Sequence, residues 1–238
     1  KTGTHMISTN TQGFDLSNQA ASGYTAYKKA LDTISNADEF DVNMVVTPGV
    51  VHSLHSGITS YAYEMCEARG DAFYVMDATG IDDNISSAVS TVEGLDTNYA
   101  ATYYPWVKIL DTNLNKIVSV PPSVVMPAVY AANDNAAAEW FAPAGLNRGG
   151  IAQAVQVLDR TTHSERDTLY EGRVNPIAAF PGQGICVWGQ KTLQIQPSAL
   201  DRINVRRLLI ALKKFIASSS KFLVFEQNVA ATRNRFLS

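Results

Sequence analysis

The sequence predicts an α/β fold in which helices flank a mixed sheet. Two continuous apolar runs, VNMVV at 42–46 and AFYVMD at 72–77, are typical of strands buried on both faces. A helical pattern at 56–69 lies between them, and this alternation favours a parallel core. Two further runs around a short turn, at 101–110 and 116–120, indicate an antiparallel hairpin, so the sheet should be mixed.

The helices of the first half are defined by their periodicity and by their ends. Apolar residues recur with the helical period at 19–35. The helix at 56–69 should stop at Gly70, since glycine readily takes the left-handed conformation that ends helices. Asp82 or Asp83 can cap a third helix, because a carboxylate accepts hydrogen bonds from the free N–H groups of a first turn.

The helices of the second half are marked by prolines and by a polar cap. Pro121 and Pro122 suit a first helical turn, and that helix should reach about Ala132. Pro127 lies inside it and should kink or shorten it. Thr162 should start a short helix.

The most regular helix lies at 203–217, after strands expected at 174–180 and 185–189 and before an extended run at 221–226. Its apolar residues share one face: Val205, Leu208, Leu209, Leu212, Phe215 and Ile216. Its basic residues lie largely off that face: Arg206, Arg207, Lys213 and Lys214. We therefore expect this helix to pack its apolar face on a core and to show a basic side.

Charge is unevenly distributed along the chain, whose net charge is −3. Residues 200–238 contain eight Lys or Arg and two Asp or Glu, a local +6, whereas residues 1–199 contain eleven against twenty, or −9. A basic segment on an acidic body suggests a charged partner surface, and a solvated helix face is the alternative. No apolar run approaches ~20 residues, so we expect no membrane insertion.

The glycine-rich stretch FPGQGICVWGQKT at 180–192 invites comparison with a phosphate-binding loop. Gly184 and Gly189 have the required separation, but Gln190 intervenes before Lys191. The residues between the glycines favour a strand, which cannot turn its N–H groups inward onto a phosphate. The dinucleotide fingerprint fails as well, because Val187 stands where its third glycine belongs.

Other candidate sites are equally incomplete, so we expect no catalytic residue, no cofactor and no metal. His52 and His55 form a pair without a third ligand nearby. Asp82 and Asp83 are explained by a helix start. Two alternatives stay open: an anion- or nucleotide-binding α/β enzyme with its ligand near 182–192 or Arg148, and a nucleic-acid-binding module that uses the basic helix.

Six blocks, in order, carry a resemblance to a known family. They are YYPWVKI at 103–109, VPPS with AVYAANDN at 120–135, FAPAGLNRGG at 141–150, VNPIAAFPGQGICVWGQKTL at 174–193, NVRRLLIALKKFI at 204–216 and FLVFEQN at 222–228. Their spacing resembles that of contractile tail sheath proteins of bacteriophages, from about Tyr99 to the end. Residues 19–98 are similar less specifically, and look most like the version in T-even-type phages.

The resemblance implies a structural subunit and no enzyme. Sheath subunits polymerise with identical copies around an inner tail tube, meet baseplate and tail terminator proteins, and contract to drive the tube through the host envelope. Terminal arms link neighbours by adding strands to a neighbour's sheet. The resemblance places the protein in the virion tail, and in the host cytoplasm during assembly, with no nucleic acid as partner.

The resemblance also divides the chain. It implies an α/β sheath core domain at 1–158 and a smaller, incomplete α+β C-terminal domain at 159–238. Since the linking arms of the family are not recognisable, the chain resembles a fragment, and we expect the isolated fragment to be a monomer.

Charge suggests which residues meet partners. A further helical pattern begins at Val229. We expect a tube or a neighbouring subunit to face the basic residues of this pattern and of the helix at 203–217: Arg206, Arg207, Lys213, Lys214, Arg233 and Arg235. Charges of this kind set register and recognition more than affinity.

Overall fold

The computed structural model describes residues 15, 16 and 18–237, with side chains as far as residue 236. The helices are α1 (Ser22–Ile34), α2 (His52–Arg69), α3 (Ile85–Val92), α4 (Pro122–Ala136), α5 (His163–Glu171), α6 (Ile203–Ser220) and α7 (Ala230–Leu237). The strands are β1 (Met44–Val51), β2 (Phe73–Asp77), β3 (Ala100–Tyr104), β4 (Val107–Asp111), β5 (Lys116–Val120), β6 (Ala154–Val157), β7 (Val174–Phe180) and β8 (Gly184–Val187).

A central sheet organises the fold, with strand order β1-β2-β3-β7-β8. The first four strands are parallel, and β8 returns antiparallel to β7. A smaller antiparallel sheet has the order β5-β4-β6. The predicted mixed sheet with flanking helices is therefore confirmed. Within the described residues, no helix has the length and apolarity that a membrane span requires.

The central strands are buried on both faces, which explains their continuous apolar runs. On β2, Tyr74 and Met76 face one core, against α1, α2 and α3. Phe73 and Val75 face a second core, against α4, α6 and the smaller sheet. Full burial of each such side chain stabilises the fold by about 1.5–3 kcal/mol. The sheet therefore holds the helices of both layers in place.

The expected domain boundary at residue 158 does not separate two sheets. β7 and β8 follow that boundary in the sequence, yet they pair into the sheet that β1, β2 and β3 begin. The division into 1–158 and 159–238 stays a prediction, and residues on both sides of residue 158 contribute strands to one sheet. Residues 1–14, inside the first range, lie outside the described residues.

Of the two predicted N-terminal helix caps, the one for α3 is wrong for a local reason and the one for α5 is confirmed. Asn84, and neither Asp82 nor Asp83, caps α3, since its Oδ1 accepts from the Ser87 N–H at 2.9 Å. The Asp83 carboxylate instead accepts from the Gly80 N–H at 2.7 Å, which closes the preceding turn. The predicted cap Thr162 is confirmed, because it forms a reciprocal capping box with α5.

Some strand predictions also need correction. The run at 101–110 is two strands in two sheets, divided at Pro105, which has no N–H to give to a ladder. The second strand of the glycine-rich hairpin ends at Val187, and β6 was not predicted. Residues 221–223 form a 3₁₀ turn where an extended run was expected.

The predicted shortening of α4 at Pro127 is wrong, because the helix continues to Ala136. A proline removes the hydrogen bond to the carbonyl four residues earlier, here that of Ser123. Met126 and Tyr130, on either side of it, are fully buried in the second core. Burial of these neighbours outweighs the single lost bond.

Gly149 lies where the loop before β6 contacts β8, and this contact makes a testable prediction. Its N–H donates to the Gly145 carbonyl and its carbonyl accepts from the Val187 N–H, each at 2.8 Å. A Cβ at Gly149 would lie 2.7 Å from the Cα of Ala144. We expect Gly149→Ala to lower the free energy of unfolding by about 1–3 kcal/mol, measured by urea denaturation.

Gly150 supplies the matched control, because a Cβ there meets nothing within 4 Å. We expect Gly150→Ala to be neutral or stabilising by up to about 1 kcal/mol. Equal losses at the two positions would contradict the contact argument.

Candidate inter-subunit surface

Part of α6 has the reverse of the expected orientation: its two arginines point toward the body, and several of its apolar side chains point outward. Arg206 and Arg207 are each 7% exposed, whereas Leu212, Phe215 and Ile216 are exposed. The prediction of a basic outer side is therefore wrong for the two arginines. The physical reason is that the body offers carbonyl and carboxylate acceptors along this face, while Ile203 and Ile210, elsewhere on the helix, pack into the second core.

Arg207 makes a buried, forked ion pair with Asp134 at the end of α4. Its Nη1 and Nη2 donate to the two carboxylate oxygens at 2.8 and 2.5 Å. The guanidinium also lies over the Tyr130 ring, 4.7 Å from its centroid. The Tyr130 hydroxyl in turn hydrogen-bonds to that of Tyr103 at 2.5 Å. This network attaches the first half of α6 to α4 and β3.

Arg206 attaches the same half of α6 to the segment before β3. Its Nη2 donates to the Asn98 Oδ1 at 2.6 Å, and its guanidinium lies 4.1 Å from the centroid of the Tyr99 ring. Burial lowers the pKa of this guanidinium. The charge is held by an amide and an aromatic face inside the chain.

The two lysines attach the middle of α6. Lys213 Nζ donates to the Arg69 carbonyl at 3.0 Å, where α2 ends. Lys214 Nζ donates to the Asp41 carboxylate at 2.5 Å and to the Val42 carbonyl at 2.9 Å, and also to Asn43. The hydrogen bond and the charge of Lys214 lower the pKa of Asp41. Both lysines therefore satisfy acceptors of their own chain.

Arg233 and Arg235 have a different position, since both are exposed on α7. Of the six predicted contact residues, four thus donate to acceptors of their own chain, namely Arg206, Arg207, Lys213 and Lys214, and Arg233 and Arg235 are exposed on α7. Their role in contacts with a tube or a neighbour stays a prediction.

Several exposed apolar residues lie near Arg235, and sequence analysis missed them as a surface. We call the α6–α7 apolar surface the set Leu212, Phe215, Ile216, Phe222, Phe225 and Phe236, all of them exposed. A cleft of about 550 Å³ opens between α6 and α7 within this set. The sequence could have indicated this surface through its many phenylalanines in a basic segment. Aromatic residues and arginine are enriched in protein interfaces.

The glycine-rich stretch builds a strand and its support, as its residues predicted. Gly184 begins β8, which pairs with β7. Lys191 Nζ donates to the Tyr170 carbonyl at 2.9 Å and lies over the Tyr170 ring at 4.3 Å. The Lys191 N–H donates to the buried Asn175 side chain at 2.6 Å. Lys191 therefore serves the contact between α5 and β7.

The other residues weighed for ligand binding also have local partners. His52 Nδ1 hydrogen-bonds with the Thr59 hydroxyl at 2.7 Å, and burial lowers the His52 pKa. Arg148 Nε donates to the Ala142 carbonyl at 3.3 Å, and its guanidinium lies 5.2 Å from the centroid of the Phe141 ring. Among the described residues, no three His, Cys, Asp or Glu side chains gather where they could hold a metal ion.

Comparison with known proteins places the chain in a family. Residues 20–193 match the phage tail sheath protein central domain, and the chain belongs to that family. It is 38% identical over 154 residues to the tail sheath protein of Enterobacteria phage T4, a match that covers 65% of this chain and 22% of that protein. It is 37% identical over 164 residues to the tail sheath protein of Vibrio phage KVP40, covering 67% and 24%.

Solved structures of contracted sheaths share the fold. The sheath complex of an extracellular contractile injection system, PVC, superposes with a TM-score of 0.71 at 27% identity, covering 86% of this chain and 55% of that one. The helical sheath of the anti-feeding prophage gives a TM-score of 0.66 at 25% identity, covering 93% and 57%. The chain spans about a quarter of the length of the curated relatives that it matches.

Proposed function

We propose that this chain is part of a contractile tail sheath subunit. Such a subunit polymerises with identical copies and drives an inner tube through the host envelope. The observation that carries the proposal is the family match over residues 20–193. Structures of similar chains come from sheaths in the contracted state and from a baseplate, and this supports self-assembly and baseplate association. We extend the proposal to the inner tube and the tail terminator as partners, and to assembly in the host cytoplasm before incorporation in the virion.

Contraction requires subunits that move as rigid bodies and inter-subunit contacts with two stable arrangements. It does not require the subunit to turn over a ligand. The glycine-rich stretch supports this reading, because Gly184–Val187 is a strand and Lys191 binds Tyr170. The proposal therefore gives the chain a structural role in place of the anion- or nucleotide-binding enzyme.

Electron microscopy of the full-length protein tests this function. We expect hollow tubular polymers, since copies joined head to tail by a contact that does not close build helical filaments. A full-length protein that forms only discrete particles under assembly conditions would overturn the proposal.

The contact residues are tested by neutralising Lys213 and Lys214 together in the full-length protein. We expect weaker co-sedimentation with inner tubes in dilute buffer, because removing charge from a complementary surface slows and weakens association. Both lysines also bind within the chain, so the unfolding temperature of the variant must be measured beside it. Unchanged co-sedimentation contradicts a role for these lysines at the tube.

Neutralising Arg233 and Arg235 gives a second double variant for comparison with the lysine pair, and both arginines are exposed. We expect this pair to affect co-sedimentation with a smaller change in unfolding temperature than the lysine pair.

A further inference from the structure

The α6–α7 apolar surface is as large as the exposed apolar patches that usually serve a binding function. Its four phenylalanines Phe215, Phe222, Phe225 and Phe236 are 69%, 80%, 103% and 54% exposed. At roughly 200 Å² for each side chain, they alone present about 600 Å². That matches the largest apolar patch on a typical monomer and approaches the ~800 Å² that each partner contributes to a stable interface. This area argues against the monomer that the sequence led us to expect.

The rim of this surface is basic. Arg233 and Arg235 are exposed on α7. Lys221, directly after α6, has a side chain 69% exposed and pairs with the Asp38 carboxylate of the same chain at 4.0 Å. Aromatic residues with arginine beside them are the composition of interface hot spots. A partner for this surface should combine an apolar floor with carboxylates at its rim.

The groove between α1 and α2 of this same chain has that chemistry. It has a volume of about 550 Å³ and is lined by Ala37, Met65 and Ala68, with Tyr61 and Glu64 at its side. Glu64 and Glu67 are exposed on α2, and Asp38 and Glu39 are exposed in the loop that follows α1. Arg69 also lines the groove and pairs with Asp71, and Asp38 pairs with Lys221 of the same chain at 4.0 Å. Lys28, over the Tyr61 ring at 5.1 Å, adds one positive charge, so Glu39, Glu64 and Glu67 leave the rim acidic.

The groove and the α6–α7 apolar surface are separate sites on one face of the molecule. A depression between them shares Ala37 and Arg69 with the groove and Phe215 with the apolar surface. The ion pair of Lys214 with Asp41 lies at this boundary. Because the two sites lie side by side on one face, two copies can exchange this contact reciprocally as a twofold pair.

We propose that the α6–α7 apolar surface binds a second copy of this chain, at the acidic groove between α1 and α2. The inference rests on the proposed sheath function, because it names one contact of that self-assembly. The phenylalanines bury against the apolar floor, and Arg233 and Arg235 face the carboxylates of the other copy. Apolar burial supplies the affinity, and the opposite charges fix the register.

Sedimentation velocity of this chain over about a hundredfold range of concentration tests the contact. We expect the average mass to rise with concentration. The variant Phe222→Ser with Phe236→Ser should stay monomeric over the same range. The matched control Leu114→Ser, at a side chain 61% exposed in the turn after β4, should associate like the parent. A parent chain that stays monomeric, or a phenylalanine variant that associates equally well, overturns the inference.

Charge exchange tests the identity of the partner site. Arg233→Glu alone and Glu64→Arg alone should each weaken association about tenfold or more, and the combined variant should recover it. A combined variant as weak as the single ones overturns the groove as the partner site.

Full-length protein separates this inference from the proposed function. Tubes formed by full-length protein with Phe222→Ser and Phe236→Ser leave the sheath function standing and overturn the docking surface. Failure of both the parent and the variant to form tubes overturns the proposed function that the inference rests on.

Discussion

The Arg207→Ala variant should lose about 3 kcal/mol of the free energy of unfolding, the largest effect that we expect from a single charged residue here. The substitution leaves the Asp134 carboxylate without its forked donor and removes a cation from the face of the buried Tyr130 ring. The Asp134 side chain is 27% exposed, so water screens part of the lost interaction and the expected loss stays at the lower end of the range for broken buried pairs.

Urea denaturation, monitored by circular dichroism, measures this loss, and two further variants serve as controls. Arg233→Ala, at an exposed position on α7, should change the free energy of unfolding by no more than about 0.5 kcal/mol. Arg207→Met combined with Asp134→Leu should recover most of the loss, because a packed apolar pair can replace a buried ion pair. An Arg207→Ala variant as stable as the parent would show that the pair is dispensable.

The second large effect is a dependence of stability on pH that one buried carboxyl controls. Asp77, at the end of β2, is 2% exposed. Its oxygens accept from the Ser123 N–H at 3.1 Å and from the Ser123 hydroxyl at 2.6 Å, at the start of α4. Burial raises the pKa of Asp77 to about 7 despite these hydrogen bonds.

The direction of the effect follows from that pKa. The unfolded chain releases the Asp77 proton near pH 4, whereas the folded chain holds it to about pH 7. The folded state therefore binds more protons between these values, and its stability from this group is complete below pH 4 and is lost as the pH rises to 7. We expect a loss of a few kcal/mol across this window.

Asp77→Asn isolates the contribution, because asparagine cannot titrate and is close to aspartate in size. The free energy of unfolding of the parent should fall between about pH 4 and pH 7 relative to that of the variant. His52 acts in the opposite direction, since burial lowers its pKa and its contribution is lost as the pH falls below about 6.5. Parallel pH profiles for the parent and Asp77→Asn would contradict the assignment.

Local patterns predicted the elements whose own residues determine them. VNMVV and AFYVMD became the strands β1 and β2 because both faces of the sheet are covered. Thr162 became a cap because its partner Glu165 lies three residues away. Such signals depend on neighbours in the sequence, which sequence analysis can read.

The orientation of α6 could not be predicted, for a physical reason. Its apolar and basic residues both recur at helical spacing, so periodicity gives two faces without saying which one meets the body. The acceptors that decide the matter, Asp134 and the carbonyl of Arg69, are 73 and 144 residues away from their partners Arg207 and Lys213. β6 could not be predicted for a related reason, because its definition depends on pairing with β4, which lies far away in the sequence.

The attachments of α6 differ along its length in how far water reaches them. The side chains of the Arg207–Asp134 pair are 9% and 27% exposed, whereas those of the Lys214–Asp41 pair are 22% and 88% exposed. Dissolved ions screen exposed pairs far more than buried ones. Rising ionic strength should therefore weaken the Lys214 attachment in the middle of α6 at lower salt concentrations than the Arg207 attachment in its first half.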